Sequence, residues 1–331
     1  MFGASLLVSG VLLEAGARVY RYGPAALLPW IMESIRPICN SGLVHASPFI
    51  DIRYELLPNL DTYSKKVRFR TNSQGLRDQE YDLSKPANTY RVTVIGDSVT
   101  VPEGVEIEDA FHSLLEERLP RHVPGVRFEF INFAVAGYQL PEYVAMIRHR
   151  ALAWQPDLIL VGFCINDFFW DEAYAATHFN RPYEDQPTVH PFFQLHLLPW
   201  IDEALTNWRL PPRRGPQQEW ILPEENRVWM MEKFKEFGAI SAEARVPILF
   251  AFLHHQSRGY TSLSNAVRDG AAANGMYFVD LSTAFPPEGD PARYFIYRAD
   301  GHPNAAAHRL FADTLHDFLI GGGVPGFPGS R

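Results

Sequence analysis

Between Tyr90 and Ile320 the chain alternates short apolar runs with longer segments of helical periodicity. The runs lie near 90–96, 127–133, 157–163, 246–253 and 276–281, and several are almost unbroken, as in Val92-Thr93-Val94-Ile95 and Leu158-Ile159-Leu160-Val161. Strands buried on both faces read this way, and helices between them imply parallel pairing through right-handed crossovers. The closing helix, 304–320, carries Ala307, Leu310, Phe311, Leu315 and Leu319 at helical spacing, with His308 and His316 read as its exposed positions. Gly321-Gly322-Gly323 ends that helix, and residues 321–331 are expected to form a flexible tail. The pattern predicts an α/β fold, a three-layer αβα sandwich around a central parallel sheet of about five strands.

Two segments break this rhythm before the core and one within it. Residues 1–40 read as helical, interrupted by Pro29 and Pro37. Phe2 to Leu13 is apolar but shorter than the roughly 20 residues that span a bilayer. With Arg18 and Arg21 behind it, this stretch reads as the exit from a longer membrane anchor, or else as a surface or core helix. Residues 41–89 form a β-rich arm, with strands expected over Ile50–Tyr54 and Lys66–Arg70 and a turn at Asn72-Ser73-Gln74-Gly75. The arm is expected to pack against the core. The third break, 168–223, is an insertion rich in proline and in aromatics that include Phe168, Trp170 and Trp200. Leaving from the end of a strand, it reads as a lid or wall over a substrate, or as a satellite core under a long loop. The resulting division is 1–40, 41–89, a core domain of 90–320, and the tail 321–331.

Composition narrows the class. The 331 residues are 47% hydrophobic and 21% charged, ordinary for a globular chain with a real core. A net charge of -8 offers no electrostatic footprint for nucleic acid. The two cysteines, Cys39 and Cys164, make neither a disulfide framework nor a cysteine zinc site. A single bridge between them is weighed below the reading of Cys164 as a small buried apolar residue.

Polar motifs sit at the carboxyl ends of the predicted strands, where open parallel sheets hold their ligands. Ile95-Gly96-Asp97-Ser98 follows the first strand, Asn132 to Tyr138 the second, and Gly162-Phe163-Cys164-Ile165-Asn166-Asp167 the third. Far along the chain, Ala299-Asp300-Gly301-His302-Pro303-Asn304 enters the last helix. A serine hydroxyl is a weak nucleophile near neutral pH and needs a base, and the base needs an orienting group. Ser98, His302 and Asp300 are those three residue types, in the order Ser…Asp…His.

These four blocks resemble the SGNH (GDSL) hydrolase family over about Tyr90 to Ile320. The resemblance implies Ser98 as nucleophile, His302 as general base and Asp300 as its orienting acid. It further implies an oxyanion hole made by the backbone N–H of Ser98, that of Gly137 and the Asn166 side-chain amide, fixed donors of the kind acyl transfer requires. Two departures stand out: the last block is Asp-x-His where the family has Asp-x-x-His, and Cys164 replaces a glycine of the third block. The nucleophile elbow Gly-x-Ser-x-Gly is absent around Ser98, which favours a flavodoxin-like sheet over the α/β-hydrolase fold.

The expected activity is therefore ester hydrolysis through an acyl-enzyme, with no cofactor and no metal. The resemblance implies small acyl groups, O-acetyl on a carbohydrate or glycan first, with a lipid ester next, and a bacterial cell-envelope setting, membrane-anchored or periplasmic, ahead of a cytoplasmic one. The alternatives are an O-acyltransferase acting on an envelope polysaccharide and a non-catalytic carbohydrate-binding scaffold. Phe168, Trp170 and His254 are candidate substrate contacts. His254 and His255 end a predicted strand on the same rim but lack a third metal ligand. Asp97 and Asp167 read as supports for their loops. Oligomeric state is not legible.

Overall fold

The computed structural model describes residues 2–22, 27, 43–65, 67–167, 197, 201, 205, 219–255, 259–288, 290–297 and 300–330. Helix α1 (Phe2–Tyr22) is followed by two antiparallel hairpins, β1 (Val44–Ala46) with β2 (Tyr54–Leu56), and β3 (Asp61–Ser64) with β4 (Val67–Arg70). The arm is thus β-rich, but its first strand is displaced from the expectation. Ile50 is 98% exposed, and the Ile52 N–H donates to the Phe49 carbonyl at 3.2 Å. The alternation of Ile50 to Tyr54 mimics one strand, yet Ile50 to Arg53 reverse the chain between β1 and β2, and only Tyr54 is strand, paired with Ala46. At Asn72-Ser73-Gln74-Gly75 the turn is as read, with the Asn72 Oδ1 accepting from the N–H groups of Gln74 and Leu76 at 2.9 and 3.0 Å.

The core sheet has five parallel strands, β5 (Thr89–Gly96), β6 (Arg127–Asn132), β7 (Leu158–Phe163), β8 (Ile248–Phe252) and β9 (Tyr277–Asp280). Their order is β6-β5-β7-β8-β9, which in core-strand numbering is the flavodoxin-like 2-1-3-4-5. Side-chain alternation divides each strand between two cores. Val92, Val94, Leu158, Leu160 and Leu249 face α2 (Phe111–His122) and α6 (Ala305–Ile320). Ile95, Ile159, Val161, Ile248 and Phe250 face α3 (Leu140–His149), α4 (Glu224–Ala244) and α5 (Thr261–Ala273).

The Asn304 side chain caps α6, accepting from the Ala306 and Ala307 N–H groups at 3.0 and 3.2 Å, a bond worth about 1 kcal/mol. His308 and His316, expected on the exposed face of this helix, are buried. His308 stands three and seven positions before Phe311 and Leu315, on the same stripe, and stacks on Phe111 of α2 with its Nδ1 accepting the Phe111 N–H at 3.3 Å. His316 meets His122 across the same helix pair, Nε2 to Nδ1 at 3.1 Å. The tail differs from its expectation as well. Val324 and Phe327 are buried, and Phe327 packs its ring on Tyr90 and Phe128.

Candidate active site

The loops after β5 and β7, the two strands flanking the point where strand order reverses, converge at the carboxyl edge of the sheet. Ser98 follows β5, and within 91–103 it alone escapes burial. Its Oγ lies 2.9 Å from His302 Nε2. On the other side of the ring, Nδ1 hydrogen-bonds Asp300 Oδ1, which also accepts the His302 backbone N–H at 3.1 Å. A carboxylate on the Nδ1 side selects the Nδ1–H tautomer and leaves Nε2 free to accept the serine proton. The shortened Asp-x-His spacing therefore does not prevent the contact: Asp300 folds back over its own loop and serves both the backbone and the ring of His302.

Burial by itself would push the His302 imidazole down, but the bond from Asp300 and the negative charges of Glu103 and Asp300 outweigh burial and the nearby Lys65, holding it above its ordinary value. For Asp300 burial would raise the carboxyl, yet the bonds and charges of His302 and Lys65 hold it well below the carboxylate range. The pair is thus built for an ionised Asp300 beside a basic imidazole.

The supporting carboxylates are buried. Asp97 accepts from the Val99 N–H at 2.9 Å and from the Asn166 amide at 3.0 Å, and its Oδ2 lies 3.3 Å from Ser98 Oγ. One N–H of the Asn166 amide is so fixed, which orients the other. Asp167 accepts from Tyr143 Oη at 2.9 Å and from the Cys164 N–H at 2.7 Å. Both act as the loop supports expected of them, and burial raises the pKa of each. Cys164 is a free, buried thiol, whereas Cys39 lies outside the described residues.

Gly137 follows β6, in a segment tied to the strand before Ser98 by the Val135 N–H donating to the Gly96 carbonyl at 3.1 Å. Its φ is +81°, and a Cβ there would meet Tyr54 Oη at 2.7 Å, so only glycine takes this conformation without strain. Of the candidate substrate contacts, Phe168 and Trp170 lie outside the described residues. His254 is buried among Phe252, His255 and Tyr260, and burial followed by the His255 charge lowers its pKa to about 3. Among the described residues no group of three or more His, Cys, Asp or Glu converges to hold a metal ion.

Three residues that the motifs do not reveal also reach this edge. Lys65, in the β3–β4 turn, places Nζ 2.7 Å from Asp300 Oδ2, 2.6 Å from Glu103 Oε2 and 3.2 Å from His302 Nδ1. Glu103 Oε2 in turn lies 3.5 Å from His302 Nε2. Tyr54 of β2 donates its hydroxyl to the Ala136 carbonyl at 2.8 Å, while its own carbonyl accepts from Tyr138. Glu103, five residues past Ser98, is close enough in sequence to fall within the nucleophile's block; Lys65 and Tyr54 have no local signal.

Sheet topology, loop placement and the Ser–His–Asp constellation define a serine hydrolase of the SGNH type. Residues 94–310 match the GDSL-like Lipase/Acylhydrolase family, and the chain belongs to it. No curated protein matches the chain. Among solved structures, it is similar to TesA, at 12% identity and a TM-score of 0.44, over 70% of this chain and 98% of that one. It is also similar to a mutant of an acetyl-xylooligosaccharide esterase from Geobacillus Stearmophilus, at 17% identity and a TM-score of 0.42, over 68% and 92% of the two chains. A two-domain esterase active on acetylated mannans is similar at 15% identity and a TM-score of 0.44, over 70% and 48%.

Proposed function

We propose that this protein hydrolyses O-acyl esters, O-acetyl groups on a carbohydrate or glycan foremost, through a covalent acyl-enzyme on Ser98. The observation that carries this reading is the 2.9 Å approach of Ser98 Oγ to an imidazole whose far nitrogen is held by Asp300. His302 Nε2 takes the Ser98 proton as Oγ attacks the ester carbonyl, and a tetrahedral intermediate forms. The N–H groups of Ser98 and Gly137 and the free N–H of the Asn166 amide hold the oxyanion. The intermediate collapses when His302 returns the proton to the leaving alcohol. Water then attacks the acyl-enzyme by the same route, releasing the acid and the free serine.

The preference for a small acyl group rests on family resemblance. So does the cell-envelope setting, to which α1 adds exposed Val8, Val11, Leu12 and Leu13; no helix among the described residues is long and apolar enough to cross a membrane. The deciding experiment is turnover of p-nitrophenyl esters from acetate to long chains, with wild type against Ser98→Ala. Ser98-dependent rates that fall with chain length support the proposal. Rates that rise with chain length move the substrate to lipid esters. Absence of Ser98-dependent turnover overturns hydrolysis and leaves acyl transfer or a scaffold, which fluorophosphonate labelling of Ser98 separates.

A further inference from the structure

The arm of residues 43–82 stands outside the segment that matches the family, yet it touches the site at two points. Lys65 is the closer of them. Its ammonium bridges two carboxylates that approach opposite nitrogens of one imidazole, Asp300 at Nδ1 and Glu103 near Nε2. Two negative charges around one histidine favour the imidazolium, and an imidazolium cannot accept the serine proton. A base flanked in this way needs a compensating cation.

The surrounding contacts show that Lys65 is held in place for this position. The Lys65 carbonyl accepts from Tyr297 Oη at 2.8 Å, so the hairpin turn is anchored to the loop that carries Asp300. Arg77, fully buried in the arm, donates to the carbonyls of Val101, Pro102 and Val105 at 2.7, 2.6 and 2.7 Å, gripping the loop that carries Glu103. Gly104, at φ +74°, closes the third side, since a Cβ there would meet Ile296 Cδ1 at 2.7 Å. Ile296 in turn donates its N–H to the His302 carbonyl at 2.9 Å.

We infer that Lys65 is a positioning residue of the hydrolase, supplied by the N-terminal arm to hold Asp300 and Glu103 and to offset the pull of these two carboxylates on His302 toward the imidazolium. This inference rests on the proposed role of His302 as base. Among the described residues, the groups facing His302 are Asp300 on its own loop, Lys65 from the hairpin, Glu103 and Asp97 from the loop after β5, and His255 in the loop after β8. Among them Lys65 acts to lower the imidazole's pKa, and Glu103 and Asp300 to raise it. The two carboxylates in turn raise the pKa of Lys65 itself against the downward push of burial, so it stays charged.

The test compares full-length Lys65→Met, Lys65→Arg, Glu103→Gln and the double variant Lys65→Met/Glu103→Gln by two measurements. One is the pH profile of kcat/KM on p-nitrophenyl acetate. The other is NMR titration of the His302 imidazole, assigned by its loss in His302→Ala. Lys65→Met is expected to lose about tenfold or more in kcat/KM at pH 7, to recover much of it as the pH rises, and to titrate higher at His302. Glu103→Gln is expected to move the acid limb and the titration downward, and the double variant to fall between the singles. Lys65→Arg, which keeps the charge, should keep the limb in place. A rate loss in Lys65→Met without movement of the acid limb or of the His302 titration overturns the inference, because a merely structural lysine does that. If Lys65→Met does not fold, Lys65→Gln decides instead, with an upward shift of the His302 titration relative to Lys65→Arg expected and an unmoved titration overturning the inference. Absence of Ser98-dependent turnover in the wild type sinks the hydrolytic reading alone, since the NMR titration still judges Lys65.

Discussion

Asp300→Asn is the sharpest single test of the site because it changes charge without changing size. In the native loop, Oδ1 accepts twice, from His302 Nδ1 and from the His302 backbone N–H at 3.1 Å, and Oδ2 accepts from Lys65 at 2.7 Å. All three neighbours are donors, so an asparagine amide points its NH₂ at a donor in either orientation. With NH₂ on the Oδ1 side, the imidazole must turn to its other tautomer, and Nε2 then carries a proton and cannot take one from Ser98. With NH₂ on the Oδ2 side, the tautomer survives, but the Lys65 ammonium loses one of its two carboxylates and is balanced by Glu103 alone.

The wrong-tautomer route alone is worth a loss of about 10³–10⁴ in kcat, which corresponds to about 4–5.5 kcal/mol of transition-state stabilisation. Loss of the carboxylate also removes the strongest influence that raises the His302 pKa, so the residual activity should have its acid limb at lower pH than wild type. In the wild type the limb is expected above the ordinary histidine value of 6.5, with activity lost as the pH falls through it. The assay is initial-rate hydrolysis of p-nitrophenyl acetate across pH, with circular dichroism to show that the fold is intact. Activity within about threefold of wild type would refute the assignment of Asp300 and direct attention to Glu103, the other carboxylate beside this ring.

Asn166→Ala should lower kcat by about 10²–10³ with little change in KM; an unchanged kcat would remove its amide from the oxyanion hole. Gly137→Ala forces a side chain into positive φ and against Tyr54 Oη, and should cost about 1–2 kcal/mol in urea unfolding, together with much of the activity. Adding Tyr54→Phe should return part of that stability, because it removes the atom the new Cβ meets. Arg91→Met strips a fully buried guanidinium from Glu129, 2.8 Å from its Nε, and from the Leu83, Trp154 and Asp82 carbonyls. It should destabilise the protein by about 3–5 kcal/mol in urea unfolding, and a loss under about 1 kcal/mol would show that the exposed Arg127, 3.1 Å from Glu129, suffices to hold the buried carboxylate.

The parts of the fold that are legible in the sequence are those in which burial is imposed on consecutive residues. Val92 to Ile95 and Leu158 to Val161 are covered on both faces by helices, so composition alone marks them as strands. The same logic misleads at Ile50 to Arg53, where the alternation continues but the chain is turning before β2 begins at Tyr54. Residue type alone places His308 and His316 in solvent, although His308 shares the helical stripe of Phe311 and Leu315; position is the better guide than polarity. The motif blocks locate Ser98, Asp300 and His302 because each lies at a strand or helix end that fixes it locally. Lys65 meets His302 across 237 residues of chain, and nothing in Tyr63-Ser64-Lys65-Lys66 distinguishes it from an ordinary solvated turn.

The short Asp-x-His spacing and the arm are two aspects of one arrangement. With a single residue between them, Asp300 reaches the backbone and ring of His302 through the same oxygen, Oδ1. Its other oxygen is left facing outward, toward the hairpin. An outward carboxylate oxygen beside the second carboxylate of Glu103 is unfavourable unless a cation lies between them, and the β3–β4 turn delivers Lys65 to that point. The hairpin is secured in its turn by Tyr297, three residues before Asp300, so the loop that carries Asp300 and His302 also holds the turn that carries Lys65. On this argument the arm and the Asp300 loop depend on each other: lengthening the spacing by one residue without altering Lys65 would free Oδ1 of one duty and strand the lysine, whereas removing the lysine leaves the short loop intact but wrongly charged.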